Sequence, residues 1–254
     1  FTYYIGFKVN SGEYKIMGLA PYGKPIYSNL IKEHLIDLKE DGSFKLDMSY
    51  FNYTAGLTMT SNKFHNLFGA PPSEREGELT QREMDLAASI QDVTEEIMIK
   101  LARHAKEVTG SKNLCLAGGV ALNCVGNGKI LRENIFENIW IQPAAGDAGG
   151  SLGAAYSVYY QELDNQRSIN SNEFDKMQGA YLGPGFSNDE IKSYLDSVKA
   201  IYKFIDNEEQ LVDKVSTELA SEKIIGWHHD RMEFGPRSLG HRSIIGDARS
   251  KQMQ

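Results

Sequence analysis

The order of strands, glycine turns and helices in residues 113–163 constrains the fold more than any other feature of this sequence. The stretch NLCLAGG predicts a short buried strand, 113 to 117, that runs into a glycine turn, and VALNCVGNGKILREN predicts a helix after it. NIWIQP predicts the next strand, AAGDAGG a loop and SLGAAYSVYYQEL a helix. This alternation indicates an α/β fold, in which ligands collect at the carboxyl ends of strands, where both glycine-rich loops lie.

A long helix is predicted before this alternation. Thr80 and Glu83 form a capping box, apolar residues recur every three or four positions behind them, and Gly110 can end the helix. These signals predict a helix over residues 81–109. Upstream, KEDGSFKLD predicts a hairpin around Asp41-Gly42, and MGLAPYGKP is typical of a turn.

A connector and a second, smaller α/β unit are predicted after the alternation. Residues 164–180 are polar and lack periodicity, so we expect them to connect the two parts. Four elements are predicted beyond them: a helix over 187–199 capped by Ser187, the strand 200–205, the helix 207–222 and the buried strand 223–229.

Charge and cysteine content exclude several classes of protein. The net charge of −7 argues against a general binder of nucleic acid or membrane surfaces. Cys115 and Cys124 form neither a C-x-x-C motif nor a disulfide framework, which favours a reducing, cytoplasmic location. No apolar run is long enough to span a bilayer. The sequence opens on Phe1 and stops at Gln254 without a cap, so we expect it to be part of a longer protein.

The turn AGGVALN is a candidate nucleotide site. Gly118 and Gly119 let a ligand approach the backbone closely, and a helix N-terminus behind them offers free N–H groups to a phosphate. Asn123, expected one turn into the helix, could bond a sugar or a base edge. A tight strand-to-helix turn without a ligand also favours glycine. GNGKI downstream lacks the spacing and the Ser or Thr of a P-loop.

The loop GDAGGSLGAA places Asp147 among glycines at a strand exit. An acid at this position is typical of a metal or ribose contact, and equally of a helix N-cap. The stretch Gly149-Gly150-Ser151-Leu152-Gly153 formally matches the G-x-S-x-G motif of serine hydrolases. A nucleophile elbow needs the serine directly after a strand, and here several loop residues intervene.

Two charged segments remain. Glu13 and Lys15 could contact a nucleotide or lie on a surface hairpin. The stretch RMEFGPRSLGHRS gathers arginines in a turn-prone segment: Arg231, Arg237 and Arg242. From residue 226 to 254, five Lys or Arg residues stand against three acids, a local charge of +2 in an acidic chain. Arginine binds phosphate or carboxylate bidentately, which favours an anion site in which Glu233 could orient one guanidinium. The alternative is a solvated loop whose arginines pair with Glu233, Asp230 and Asp247.

Taken together, four segments resemble the carbamoyltransferase family, which includes nodulation-factor and antibiotic O-carbamoyltransferases. They are SGEYKIMGLAPYGKP, AGGVALNCVGNGKI, IQPAAGDAGGSLGAA and DRMEFGPRSLGHRSIIGDAR, in this order over nearly the whole chain. The resemblance implies one lobe of an actin-like, sugar-kinase-like ATP-binding domain over 1–163. It implies the start of a smaller domain, similar to threonylcarbamoyladenylate synthases, over 181–254.

The resemblance also implies chemistry. Carbamoyl phosphate and ATP would give carbamoyladenylate and pyrophosphate, and the carbamoyl group would pass to a hydroxyl of a small-molecule acceptor. Asp147 would be a ligand of a divalent metal (Fe, Mg or Mn) that bridges the adenylate phosphate. The residues implied to bind nucleotide are Glu13, Lys15, Gly118, Gly119, Asn123, Gly149, Gly150 and Ser151. Those implied to bind carbamoyl phosphate and the phosphates of ATP are Arg231, Arg237 and Arg242.

The sequence departs from the family pattern in two respects. The paired metal histidines and the first lobe would precede Phe1, and the second domain stops soon after its arginines, so we expect this piece alone to be inactive. A sugar kinase or ATPase of the actin-like superfamily, a non-catalytic nucleotide-binding module and, least favoured, a serine hydrolase remain as alternatives.

Overall fold

A 29-residue helix spans Gln81–Thr109, as the capping box predicts. The backbone N–H of Thr80 donates to Glu83 Oε2 over 3.0 Å, and Gly110 ends the helix in the left-handed conformation with φ of 61°. The predicted apolar stripe, which includes Leu101 and Val108, is only partly confirmed, because these two side chains are exposed. Helix packing on more than one side instead buries residues at other positions: Ala87, Ala88, Met98 and Ala102.

The computed structural model describes residues 1–168 and 175–253 of this mixed α/β chain. It divides into two compact units, Phe1–Ile141 and Gln142–Gln254. The first contains α1 (Glu13–Leu19), α2 (Ser28–His34), β1 (Ile36–Leu38), β2 (Phe44–Leu46), α3 (Asn62–Leu67), α4 (Gln81–Thr109), β3 (Asn113–Leu116), α5 (Cys124–Arg132) and β4 (Asn138–Ile141). The second contains α6 (Gly150–Ser157), α7 (Asn188–Ser197), α8 (Glu208–Ala220), β5 (Ile225–His228) and β6 (Arg242–Ile245).

Two apolar clusters hold the first unit together, and α4 contributes to both. The larger joins α4 to the elements before it through side chains such as Tyr4, Phe64 and Leu86, all fully buried. The smaller centres on Met98 and Ile130 and packs α5 and the β3–β4 pair against the second half of α4. The strand–turn–helix segment is therefore fixed against one long helix.

The strand pairings confirm one prediction and correct another. β1 and β2 form the antiparallel hairpin predicted around Asp41-Gly42. β3 and β4 pair in parallel, as an α/β alternation requires, but they are not buried strands. Leu114 and Leu116 pack against the smaller cluster, whereas the alternate residues Asn113 and Cys115 are exposed. Only one face of this strand pair is covered, so buried and exposed side chains alternate along each strand.

Three predicted elements differ in detail within or next to the glycine loops. The helix predicted over VALNCVGNGKILREN is a 3₁₀ turn, Gly119–Leu122, followed by α5. The turn predicted over residues 17–25 is largely helical, since α1 runs to Leu19 and a 3₁₀ turn follows at Ala20–Tyr22. The helix predicted to reach residue 163 ends at Ser157 and passes into a π-turn, Val158–Glu162.

In the second unit, the helices are confirmed and one strand prediction is wrong. Ser187 caps α7 with Glu190 in a capping box, and Asn207 caps α8. Residues 200–205 form no strand, because no described strand pairs with them. β5 is confirmed, but it is half-exposed and pairs antiparallel with β6, which was not predicted. The arginine segment is thus the loop of a β-hairpin and not the end of a sheet.

The division at Ile141 lies upstream of the predicted connector. The predicted boundaries of 1–163, 164–180 and 181–254 stay a prediction, and residues 169–174 of that connector lie outside the described residues.

In the described part of the chain, no helix combines the length and apolar character needed to cross a membrane. Cys115 and Cys124 are both free and exposed.

Candidate functional site

The turn after β3 leaves room for a ligand. Gly118 has a φ of 97°, which only glycine adopts without strain, and a side chain at Gly118 or Gly119 would meet no atom within 4 Å. Behind this open face, the carbonyl of Ala121 accepts a 2.7 Å hydrogen bond from Asn127 Nδ2. The turn is therefore open on one side and anchored on the other.

The sequence predicted that Asn123 lies one turn inside a helix, but in the structure it is the N-cap of α5. Its Oδ1 accepts a 3.0 Å hydrogen bond from the backbone N–H of Gly126, the usual bond of an N-cap residue. The same side chain exchanges two hydrogen bonds with Gln91 of α4, of 2.9 and 3.1 Å. Asn123 thus couples the glycine turn, α5 and α4.

A polar network on α4 continues from this pair and was missed by sequence reasoning. Gln91 Nε2 also donates to Glu95 Oε1 over 2.7 Å, and Glu95 Oε2 pairs with Lys129 Nζ of α5. Gln91 and Glu95 are only 7% and 5% exposed, although polar residues at such positions are ordinarily solvated. Their i, i+4 spacing beside the apolar stripe was the available signal.

The predicted Glu13 and Lys15 lie on the helix α1, so the alternative of a surface hairpin is wrong. Glu13 Oε1 accepts from the backbone N–H of Asn10 over 2.7 Å, and Lys15 Nζ lies 2.9 Å from Glu76 Oε2. The same helix approaches the glycine turn, because Met17 Sδ is 3.7 Å from Cys124 Sγ. Two of the predicted nucleotide segments are therefore adjacent within the first unit.

Asp147 is exposed at the start of a 3₁₀ turn, Asp147–Gly149, and caps no helix with its side chain. Among the described residues, no three His, Cys, Asp or Glu side chains are grouped closely enough to hold a metal. Asp147 therefore does not make a metal site with its described neighbours. Ser151 lies on α6 and donates to the carbonyl of Ala148, which is not the sharp turn of a nucleophile elbow.

The arginine segment folds around the buried carboxylate of Glu233. The residues between β5 and β6 form a long hairpin loop, and the Glu233 side chain inside it is 0% exposed. Glu233 Oε1 accepts backbone hydrogen bonds from Leu239, His241 and Arg242 at 2.9, 2.8 and 3.2 Å. Three N–H groups of a loop thus converge on one side-chain oxygen.

These bonds decide the charge state of Glu233. Burial alone raises the pKa of this carboxyl, but the backbone N–H groups of Leu239, His241 and Arg242 favour the ionised form more strongly. Together with the backbone N–H of Glu233 itself, they lower its pKa from 4.5 to about 2. Glu233 is therefore a fixed negative charge inside an arginine-rich loop.

The three arginines have different surroundings. Arg242 Nη2 donates to the carbonyl of Gly235 over 2.6 Å, and Arg242 Nε lies 3.8 Å from Glu233 Oε2, which makes an ion pair without a hydrogen bond. Arg237 is half-buried, and its carbonyl lies 3.5 Å from Arg242 Nη2. Arg231 is exposed, and its carbonyl is 2.8 Å from His241 Nδ1. Arg242 braces the loop, while Arg231 lies on its surface.

Two further contacts place this loop within the second unit. The His241 ring stacks on Tyr181, with ring centroids 3.8 Å apart, and the Tyr181 hydroxyl donates to the carbonyl of Leu239. Gly235 has a φ of 120°, and a side chain there would lie 3.0 Å from the carbonyl oxygen of Pro143. The loop that leads to Asp147 therefore starts directly beside the arginine segment.

Comparison with known proteins gives two family matches and several long relatives. The family model described as carbamoyltransferase N-terminus matches residues 1–156, and that described as carbamoyltransferase C-terminus matches residues 216–254. An uncharacterized protein of Synechocystis sp. is 59% identical over 100% of this chain and 41% of its own length.

Other relatives carry names that refer to nodulation. Nodulation protein NolNO of Sinorhizobium fredii is 37% identical over 93% of this chain and 32% of its own length. Nodulation protein NolO of Bradyrhizobium diazoefficiens is 34% identical over 93% of this chain and 40% of its own length. The chain thus spans about a third to two fifths of the length of these curated relatives.

Proposed function

Because this chain belongs to the carbamoyltransferase family, we propose that the full-length protein is an ATP-dependent O-carbamoyltransferase. It takes carbamoyl phosphate as donor, forms a carbamoyladenylate with ATP and transfers the carbamoyl group to a hydroxyl of a small-molecule acceptor. The observation that carries the proposal is the pair of family matches, one over each end of the chain.

The balance of the reaction defines what the site must do. Carbamoyl phosphate and water give carbamate and inorganic phosphate, and a carbamate oxygen then attacks the α-phosphorus of ATP and displaces pyrophosphate. In the second step, the acceptor oxygen attacks the carbamoyl carbon, its proton is lost and AMP leaves. Anionic oxygens crowd together in the first step, so fixed positive groups that are already in place lower its barrier.

The loop between β5 and β6 that contains the arginine segment, called the arginine loop below, suits the formation of the carbamoyladenylate. The buried charge of Glu233 and the brace of Arg242 hold the loop in one shape. We assign phosphate contacts to Arg231 and Arg237, and we assign Arg242 mainly to holding the loop, since it donates to the carbonyl of Gly235. A guanidinium held in advance loses less entropy on binding a phosphate than one on a mobile loop.

The glycine turn suits binding of the adenylate. Gly118 and Gly119 leave the backbone open, Asn123 lies at the end of the turn, and α1 with Glu13 and Lys15 is adjacent. Within the second unit, Gly149 precedes α6, and Gly150 and Ser151 are its first residues; we assign them nucleotide contacts as well. A side chain at Gly149 would collide with the carbonyl of Ala144.

Two parts of the proposal concern the larger protein. We assign an actin-like lobe to the first part of the chain and an adenylate-forming domain to the part with the arginine loop. This assignment is supported by the order of the four motifs, which is that of the family. Asp147 is proposed as one ligand of a divalent metal whose other ligands are not among the described residues. The described residues alone do not form that site.

The test is ATP–pyrophosphate exchange by the full-length protein with and without carbamoyl phosphate. We expect exchange that requires carbamoyl phosphate, and we expect Arg237→Ala to reduce it about tenfold or more, the effect of one lost charge-assisted contact. Arg249→Ala is the matched control, because Arg249 pairs with Asp247 outside the loop.

Exchange that never depends on carbamoyl phosphate would contradict the proposed function. If Arg237→Ala and Arg249→Ala give the same rate, Arg237 has no part in binding the phosphates. Transfer of the γ-phosphate of ATP to a sugar without carbamoyl phosphate would instead support the sugar kinase alternative.

A further inference from the structure

The amide of Asn123 has only one orientation that satisfies its surroundings. The backbone N–H of Gly126 can only donate, so the atom 3.0 Å from it must be the acceptor Oδ1. The Nδ2 group then faces Gln91 Oε1 at 2.9 Å. The cap of α5 therefore fixes which end of the Asn123 amide donates.

Gln91 is fixed in the same way from the other side. Its Nε2 donates to Asn123 Oδ1 over 3.1 Å and to the Glu95 carboxylate over 2.7 Å, which uses both of its hydrogens. A flipped Gln91 would place its carbonyl oxygen against that carboxylate. The ion pair with Lys129 holds Glu95 in turn, so four residues in two helices share one consistent set of bonds.

This network leaves one group of Asn123 available. Both bonds to Oδ1 come from the protein, whereas Nδ2 makes a single hydrogen bond among the described residues. Asn123 is half-buried and follows the open turn of Gly118 and Gly119. The second hydrogen of Nδ2 thus has no acceptor in the described part of the chain, and Asn123 lies at the edge of the proposed adenylate site.

We propose that Gln91 is a positioning residue, supported by Glu95, which fixes Asn123 as a hydrogen-bond donor to the adenylate. This inference rests on the proposed function for the identity of the ligand. It specifies that the ligand atom at Asn123 is an acceptor, such as a ring nitrogen, a ribose oxygen or a phosphate oxygen. An exocyclic amine at this place would meet a second donor and be rejected.

The test measures affinity for 5′-O-sulfamoyladenosine, a stable mimic of the adenylate, by calorimetry on the full-length protein. We expect Gln91→Leu to weaken binding about tenfold, because Asn123 then loses its fixed orientation. Ser89→Ala is the matched control. Ser89 is also buried on α4 and bonded to Tyr27, but it belongs to a different contact, so its loss lowers stability and leaves affinity unchanged.

Two further comparisons separate positioning from general stability. In an Asn123→Ala background, Gln91→Leu should have no further effect on affinity, since it acts only through Asn123. Glu95→Leu should weaken binding, whereas Glu95→Gln keeps an acceptor for Gln91 and should stay within about twofold of the parent protein.

The inference would be overturned if the effects of the Gln91 and Asn123 changes on affinity were additive. It would also be overturned if Gln91→Leu left the affinity unchanged, or if the parent protein did not bind the mimic. The proposed function fails separately, through the exchange assay. A protein that binds the mimic with the expected coupling but shows no exchange dependent on carbamoyl phosphate would keep Gln91 in its role and remove the proposed reaction.

Discussion

At Glu233, a single side-chain oxygen accepts hydrogen bonds from the backbone of three residues in one loop. A buried carboxylate is costly unless such donors surround it, and here they do so on one oxygen only. The other oxygen has no hydrogen bond within the described residues and relies on the Arg242 guanidinium nearby. Loop shape and carboxylate charge therefore depend on each other.

We expect Glu233→Ala to lower the free energy of unfolding of the second unit by about 3 kcal/mol, because several backbone N–H groups lose a charged acceptor. Glu233→Gln keeps an acceptor without the charge and should cost less, about 1 to 2 kcal/mol. Urea unfolding gives these values, and amide exchange at Leu239 and His241 shows whether the loss is in the loop. Equal, small losses for both variants would contradict this role.

Sequence reasoning could predict some of these residues and not others. The pairing of Glu233 with a guanidinium followed from their closeness in the sequence and is confirmed at Arg242. The three backbone bonds depend on how a long loop closes, which no local pattern encodes. Gln91 was missed for a related reason, because its partner Asn123 lies 32 positions away.

At the scale of elements, the segment after α1 is set by its close approach to α4. A side chain at Gly23 would lie 2.0 Å from the carbonyl oxygen of Met84, a backbone atom that cannot move without disturbing the helix. Gly18, five positions earlier in α1, would meet no atom within 4 Å. These two glycines in one segment therefore serve different purposes.

We expect Gly23→Ala to destabilise the first unit by about 3 kcal/mol, the upper range of a packing conflict that shifts the backbone. Gly18→Ala should instead stabilise it by about 0.5 to 1 kcal/mol, since alanine favours a helix interior. Thermal unfolding of both variants checks the contrast. A loss in Gly18→Ala as large as that in Gly23→Ala would show that α1 needs flexibility and that close packing is not the cause.

Elements defined by local signals were predicted better than those that need a distant partner. The helix α4 was predicted to the residue, because its cap, its stripe and Gly110 are all local. Residues 200–205 have the composition of a strand, but no described strand lies beside them to pair with. Strand propensity alone was therefore not enough to form a strand there. β6 was missed because its four residues gain their structure only by pairing with β5.

At the scale of the whole molecule, each unit contains a buried carboxyl whose pKa lies far below the usual range. In the second unit it is Glu233; in the first it is Glu83 of the capping box. Burial raises the pKa of Glu83, but hydrogen bonds from Thr80 and Ser73 and from the backbone lower it to about 2. Because of these two carboxylates, the stability of each unit depends on pH in the acidic range.

The sign of this linkage follows from the direction of the shifts. A carboxyl with a lower pKa in the folded state contributes stability that is complete above its unfolded pKa, near 4.5, and is lost as pH falls toward 2. We expect both units to lose stability between these values. Glu83→Gln should reduce this pH dependence in the first unit only, as measured by circular dichroism and amide exchange, while the lowered pKa values of Asp41 and Asp47 leave a remainder. A change in both units would contradict the assignment.

The candidate site could be predicted mainly as a set of segments. The order of four motifs along the chain identified the family, and the family matches over residues 1–156 and 216–254 confirm it. The contacts inside the site could not be predicted, since they join residues such as Met17 and Cys124 that are far apart in sequence. The acceptor substrate has no recognisable motif in this chain.

The parallel pair β3–β4 and the hairpin β5–β6 have one consequence for experiments. The sequence contains two tryptophans, and each of these strand pairs holds one: Trp140 opposite Cys115, and Trp227 opposite Ser243. Each compact unit thus contains its own intrinsic fluorophore. Replacing either ring with phenylalanine leaves the tryptophan emission of a single unit, so with excitation selective for tryptophan the unfolding of each unit can be followed without an attached dye.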